Sequence, residues 1–169
     1  MRQEPLDPAV RLEAEALKLA VQRPALLGPE FDALGAATFT LPEHVALYEV
    51  IVAAGGTAAG GPGGREWVDR LLEQADAGTP GETGVDLRSL VTRFAVEAVR
   101  ADVNVEERYG AAVLAKIQEV AVGRAVAQVK SRLQRLNPVE EQQEYNRLFG
   151  ELVALEQQRR VLRERASGA

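Results

Sequence analysis

Apolar residues return at intervals of three and four along most of the chain, while alternating apolar and polar runs rich in Val, Ile and Thr are missing. A period near 3.6 marks helices that bury one face, so the pattern predicts an all-α fold. Asp7 followed by Pro8 supplies an N-cap and a first-turn proline. Leu12, Ala16, Leu19 and Ala20 then mark one face until Pro24 stops the run, giving a helix over about 8–22. PEFDAL (29–34) is a short helical piece. Thr40 with Glu43 three residues on resembles a capping box ahead of Val45, Tyr48 and Ile51, and that helix ends by Gly55. The next segment, GGTAAGGPGG (55–64), leaves the backbone too permissive for regular structure and reads as a flexible loop. REWVDRLLEQA (65–75) is amphipathic with Trp67, Val68, Leu71 and Leu72 inward, GTPGETG (78–84) is a loop, and Asp86 caps a helix through Leu87, Leu90, Val91, Phe94 and Val99.

From Glu106 the helical pattern runs unbroken to Leu136, about 31 residues or about 46 Å at about 1.5 Å per residue. Its apolar stripe passes from Tyr109, Val113, Ile117 and Val120 to Val122, Val126, Val129, Leu133 and Leu136, so the buried face rotates near Gly123. One helix therefore serves two bodies, a bundle over 1–122 and a C-terminal hairpin over 123–169. Asn137 as N-cap, Pro138 in the first turn and Glu140 at the third position open another helix at once, and so short a connection requires an antiparallel neighbour. On that last helix Tyr145, Leu148, Leu152, Leu155 and Leu162 lie within about 100° of arc and can face the preceding arm. Phe149 and Val153 fall about 90° to 130° from the centre of that stripe by the 100° helical step. Either they bury against the bundle, as most apolar residues do, or they meet a partner in a helix-in-groove contact.

Composition narrows the chemistry. The 169 residues are 46% hydrophobic and 27% charged, ordinary for a folded globular protein. Cysteine is absent and His44 is the single histidine, which excludes disulfides, thiolate zinc sites, cysteine nucleophiles and imidazole clusters. The net charge of -5 disfavours a grip on nucleic acid. It is unevenly spread: residues 130–169 carry Lys130 and seven arginines against six glutamates, a surplus of +2 that leaves -7 on residues 1–129. Arg159, Arg160, Arg163 and Arg165 suit a helix C-terminus. No run approaches the roughly 18 apolar residues of a membrane span, and MRQEPLDPAV lacks a secretory pattern, so a cytoplasmic protein is expected. The glycine-rich segment departs from a phosphate-binding loop because Arg65-Glu66 follows Gly64 where Lys and Ser or Thr are needed. Glu106 with Glu107, and Glu140 with Glu141, point about 100° apart on a helix and do not converge on a substrate. His44, at the start of a helix, reads as a surface or satisfied core residue. No catalytic site, metal or cofactor is expected.

EALKLAVQRPALL (15–27), a single bundle, and a terminal hairpin opened by LNPVEEQQEYNRLFGELVALEQQRR (136–160) resemble the C-terminal domain of bacterial DnaG-type replicative primases, with the actinobacterial branch most similar. The resemblance spans essentially the whole chain. It implies a bundle followed by a helical hairpin that docks the primase onto the N-terminal collar of the hexameric replicative helicase, with polymerisation carried out elsewhere. A complete primase of this type would add a cysteine and histidine zinc module and an acidic metal-binding core, so the chain is expected to be a fragment, with Met1 an added start and the residues after it a linker. On this reading Leu136, Tyr145, Leu148, Phe149 and Leu152 are expected as apolar anchors and Arg135, Arg147 and Arg159 as partners for acidic groups. Intra-hairpin packing is the stronger expectation for Leu152. The resemblance also implies a second partner, the acidic C-terminal tail of single-stranded DNA-binding protein, for which helix 1 offers Arg11, Leu12 and Lys18. Two alternatives remain at this point: the N-terminal domain of the helicase itself, or a generic helical adaptor.

Overall fold

Helix α1 (Pro8–Gln22) sets the architecture. The Asp7 carboxylate accepts from the Ala9 N–H at 2.9 Å, Pro8 opens the first turn, and Pro24 ends the helix in a 3₁₀ turn over Pro24–Leu26. The computed structural model describes residues 7–78, 86–99 and 106–167. Among the described residues seven further helices follow: α2 (Pro29–Asp32), α3 (Pro42–Ala53), α4 (Gly56–Gly60), α5 (Arg65–Ala77), α6 (Leu87–Val96), α7 (Glu106–Arg135) and α8 (Gln142–Ala166). No strand occurs among the described residues. The GTPGETG loop beyond Gly78, the Met1 start and the side chains of Glu106 and Glu107 lie outside them.

The bundle is built around α1, whose Ala16, Leu17, Leu19, Ala20 and Val21 are fully buried against α3, α6 and the first half of α7. Leu17 and Val21 extend the buried surface beyond a single stripe because α1 has neighbours on several sides. Trp67 of α5 locks onto it by donating its indole N–H to Ala20 O at 3.0 Å. Asp86 caps α6 by accepting from Ser89, and Val99 packs on the core beyond the end of that helix.

Two local expectations give way to tertiary bonds. Thr40 and Glu43 form no capping box; Leu41 occupies the N-cap of α3, and Thr40 instead gives its backbone N–H and hydroxyl to Glu13 Oε1, both at 2.8 Å. The other oxygen of Glu13 lies 2.8 Å from His44 Nδ1, and both side chains are almost completely buried. His44 is thus a satisfied core residue. The glycine-rich segment, in turn, is ordered rather than a flexible loop. Its first part is α4, and Thr57 within it is 1% exposed, donating its N–H to Asp32 Oδ1 and placing its hydroxyl 2.8 Å from Gly28 O. A Cβ on Gly60 would fall 2.5 Å from Pro24 Cγ and 2.8 Å from Trp67 Cε2. The glycines here permit close approach to α1 and α5, a need that local composition does not reveal.

Helix α7 crosses from one core to another. Val113, Leu114 and Ile117 belong to the bundle, while Val122 and Val126 join Leu162, Leu152 and Leu155 of α8 in a second cluster. Arg124 ties the crossover to the bundle by donating to Thr38 O at 2.8 Å. At the tip, Asn137 Oδ1 accepts from the N–H groups of Val139 and Glu140, and Glu141 reaches back to the Asn137 N–H at 2.9 Å. Reciprocal capping is present, but Glu141 performs the part expected of Glu140, and α8 begins only at Gln142 after a turn.

Candidate protein-docking surface

The hairpin is held by a narrow apolar seam. Val122, Val126 and Val129 of α7 are buried with Leu148 and Leu162 of α8, and the half-buried Leu152 and Leu155 complete the contact. Leu148, expected as an anchor, is 1% exposed, so it holds the two arms together and has no free surface to offer. Leu152 also packs within the hairpin. Leu136 and Tyr145 are half-buried near the tip.

Ion pairs brace the seam. Arg147 donates to both oxygens of Glu144 at 2.6 and 3.0 Å and lies 3.8 Å from Glu151; Arg132 approaches Glu144 at 3.4 Å. The hydrogen bonds from Arg147 hold the Glu144 carboxyl below its ordinary value, and the same contact raises Arg147. Lys130 pairs with Glu156 at 3.7 Å and Arg163 with Glu119 at 2.9 Å. Of the three expected arginines, Arg147 is engaged at home through its carboxylates, while Arg159 lies over Gly123, its Nη2 3.5 Å from where a Cβ would sit and its Nε buried without a hydrogen-bond partner among the described residues. Arg135 is exposed near the tip.

Against this closed seam, Phe149 is 51% exposed and Val153 45%. They do not bury against the bundle, because α8 packs chiefly along α7, and its Arg163–Glu119 bridge lies far along the helix from them. Val139, at the tip, is also exposed. Spacing by three and four could have revealed the Glu144–Arg147–Glu151 chain in advance, whereas the exposure of Phe149 depends on how the hairpin leaves the bundle.

A second surface lies between α1 and α7, a groove of about 630 Å³ that brings together the expected Arg11, Leu12 and Lys18 with Tyr109, Lys116 and Val120. Lys18 also pairs with Glu97 at 2.8 Å, and the Tyr109 hydroxyl donates to Glu15 at 2.6 Å. Arg11 and Lys116 are exposed and have no ion pair among the described residues. Tyr109 and Lys116 join the groove from far along the sequence.

Among the described residues no group of three or more His, Cys, Asp or Glu side chains could hold a metal ion, and no helix is long and apolar enough to cross a membrane. An all-helical bundle presenting a braced hairpin with uncovered apolar side chains defines a protein-binding module.

Comparison with known proteins places the module. Residues 13–148 match the family described as DNA primase DnaG DnaB-binding, and the chain belongs to that family. It is 46% identical over 168 residues to the DNA primase of Mycobacterium tuberculosis, covering 99% of this chain and 25% of that protein. The DNA primase of Mycolicibacterium smegmatis is 45% identical over 172 residues, with 99% and 25% covered. That of Streptomyces coelicolor is 36% identical over 166 residues, with 96% and 25% covered. The chain thus spans about a quarter of the length of the relatives it matches. A solved structure, the helicase binding domain of primase from Mycobacterium tuberculosis, superposes with a TM-score of 0.71 at 46% identity over 94% of each chain. These relatives are primases, which sets aside the helicase N-terminal domain and the generic adaptor.

Proposed function

We propose that this chain is the non-catalytic part of a bacterial replicative primase that docks the enzyme onto the hexameric replicative helicase in the cytoplasm. The bundle is the mounting and the hairpin the contact, made with the helicase's N-terminal domain. Tethering raises the effective concentration of the polymerising part at the fork, so primer synthesis is promoted without new chemistry in this region. The observation that carries the reading is the exposure of Phe149 and Val153 on a hairpin whose own seam is already filled. Phe149 and Val153 are the anchors, with Leu136, Tyr145 and Arg135 at the margin toward the tip. Leu148, Leu152 and Arg147 act by keeping the hairpin in shape. Calorimetry of the full chain with the cognate helicase should show binding that is lost when the chain is ended at Arg132. Undiminished affinity in that truncation would place the docking surface on the bundle.

A second reading applies to the α1–α7 groove. Its combination of Arg11, Lys18 and Lys116 with Leu12 and Val120 suits a short acidic peptide ending in apolar residues, such as the tail of single-stranded DNA-binding protein. Titration with a peptide of that tail should shift the amide signals of α1, and Lys116→Glu should abolish the shift.

A further inference from the structure

The distribution of charge around α8 distinguishes its two flanks. Between Gln142 and Gln157 the helix carries four charged residues, Glu144, Arg147, Glu151 and Glu156, and each of them is ion-paired. By the 100° step, Glu144, Arg147 and Glu151 fall within about 60° of one another on one flank, while Gln142, Asn146, Phe149, Gly150, Val153 and Gln157 occupy an arc of about 100° that contains no charge. Glu156 stands at the edge of that arc and is turned toward Lys130. The large exposed apolar side chains of this stretch, Phe149 and Val153, lie on the uncharged flank. At the far edge of the arc, beyond Val153, Gly150 leaves open space, with nothing among the described residues within 4 Å of where a Cβ would be.

These facts bear on how a partner can be held. A partner covering the Arg147 flank would have to strip water from carboxylates and guanidinium groups already matched to one another, at a desolvation cost with no new pairing to offset it. A partner covering the other flank meets two apolar side chains and a margin of neutral amides, and the missing Cβ at Gly150 lets its side chains approach the helix backbone. The arrangement is that of an interface centre depleted of charge and rimmed by polar groups.

We propose that the helicase is gripped by the flank of α8 that is free of charge from Gln142 to Gln157, through an apolar and amide-lined surface of its own, and that the Arg132–Glu144–Arg147–Glu151 chain serves only to brace the hairpin. This deepens the docking reading and rests on it. Docking is then insensitive to salt, in contrast to a contact made by arginines with acidic partners.

The test is calorimetry of the full chain with the helicase hexamer at about 0.1 M and about 0.5 M sodium chloride, on wild type, Phe149→Ala, Val153→Asp and Arg147→Gln. Circular dichroism checks the fold of each variant. Affinity should change less than about threefold with salt; Phe149→Ala and Val153→Asp should each weaken it by about tenfold or more, and Arg147→Gln by less than about twofold. A steep loss with salt, or a loss in Arg147→Gln matching that in Phe149→Ala, would overturn the assignment of the flank while leaving helicase docking intact. A second copy of the chain is the other possible occupant. Self-association abolished by Val153→Asp with helicase affinity unchanged would assign the flank to it and overturn the proposal. No binding by the wild-type chain at either salt concentration would overturn the docking reading itself and this flank with it.

Discussion

Leu148 and Phe149 are neighbours in sequence, and the structure assigns them opposite consequences. Leu148 is sealed in the seam between α7 and α8, whereas half of Phe149 faces solvent. Leu148→Ala removes three carbons from the seam, about 2.4 kcal/mol at about 0.8 kcal/mol for each. The cavity left behind brings buried leucine truncations to about 2.7–5 kcal/mol. Because the seam is only two helices thick and can partly collapse, a loss near about 3 kcal/mol is expected. Phe149→Ala gives up about 1 kcal/mol of partial burial but gains about 0.5 kcal/mol of helix propensity, for a net loss of about 0.5 kcal/mol. Hydrogen exchange of the α8 amides, combined with urea unfolding, reads both. Leu148→Ala should raise exchange along α8 by about a hundredfold or more, and Phe149→Ala by about threefold or less. Equal losses, or a Leu148 variant within about 0.5 kcal/mol of wild type, would refute the division between the seam and the docking side.

Other consequences are equally specific. Gly60→Ala should destabilise by about 1–3 kcal/mol in urea titrations, since the new methyl overlaps Pro24 and Trp67. Gly150→Ala, with nothing among the described residues within 4 Å of its Cβ, should stabilise α8 by about 0.5–1 kcal/mol. Glu13→Ala leaves Thr40 and His44 without their acceptor in the core and should cost at least about 3 kcal/mol by the same assay. The carboxyl of Glu144 is depressed below its ordinary 4.5 by hydrogen bonds from Arg147. Its contribution to hairpin stability is therefore complete above that value and lost as pH falls through the lowered one. A carbon-detected titration should find Glu144 below 4.5 in the wild type and back near it in Arg147→Gln; a native value at or above 4.5 would contradict the bracing.

Much of the helical framework is legible in the sequence because its signals are local. Asp7-Pro8 opens α1 and Pro24 closes it, Asp86 caps α6, and the drift of apolar positions past Gly123 marks the passage of α7 from one core to the next. The resemblance carried by LAVQRP and the hairpin sequence led to the family. Readings failed where a side chain found a better partner far away. Thr40 turns from the box expected with Glu43 to Glu13, 27 residues distant, because the buried carboxylate needs donors more than an exposed helix start needs a cap. The glycines of 55–64 look permissive alone, yet Pro24 and Trp67 leave no room for a Cβ at Gly60.

The amino-acid order by itself determined that the protein is helical, that one long helix serves two cores, and that a tight turn at Asn137 folds the last helix back, because periodicity, caps and turns act over a few residues. Only the tertiary structure decided which apolar side chains stay uncovered. Helical spacing already sets Phe149 off the stripe that holds Leu148, but whether Phe149 meets the bundle or stays open is decided by how α8 packs, chiefly along α7 around Val122, Val126 and Leu162. Laid along α7 and away from the bundle, α8 keeps Leu148 in the seam and leaves half of Phe149 facing solvent.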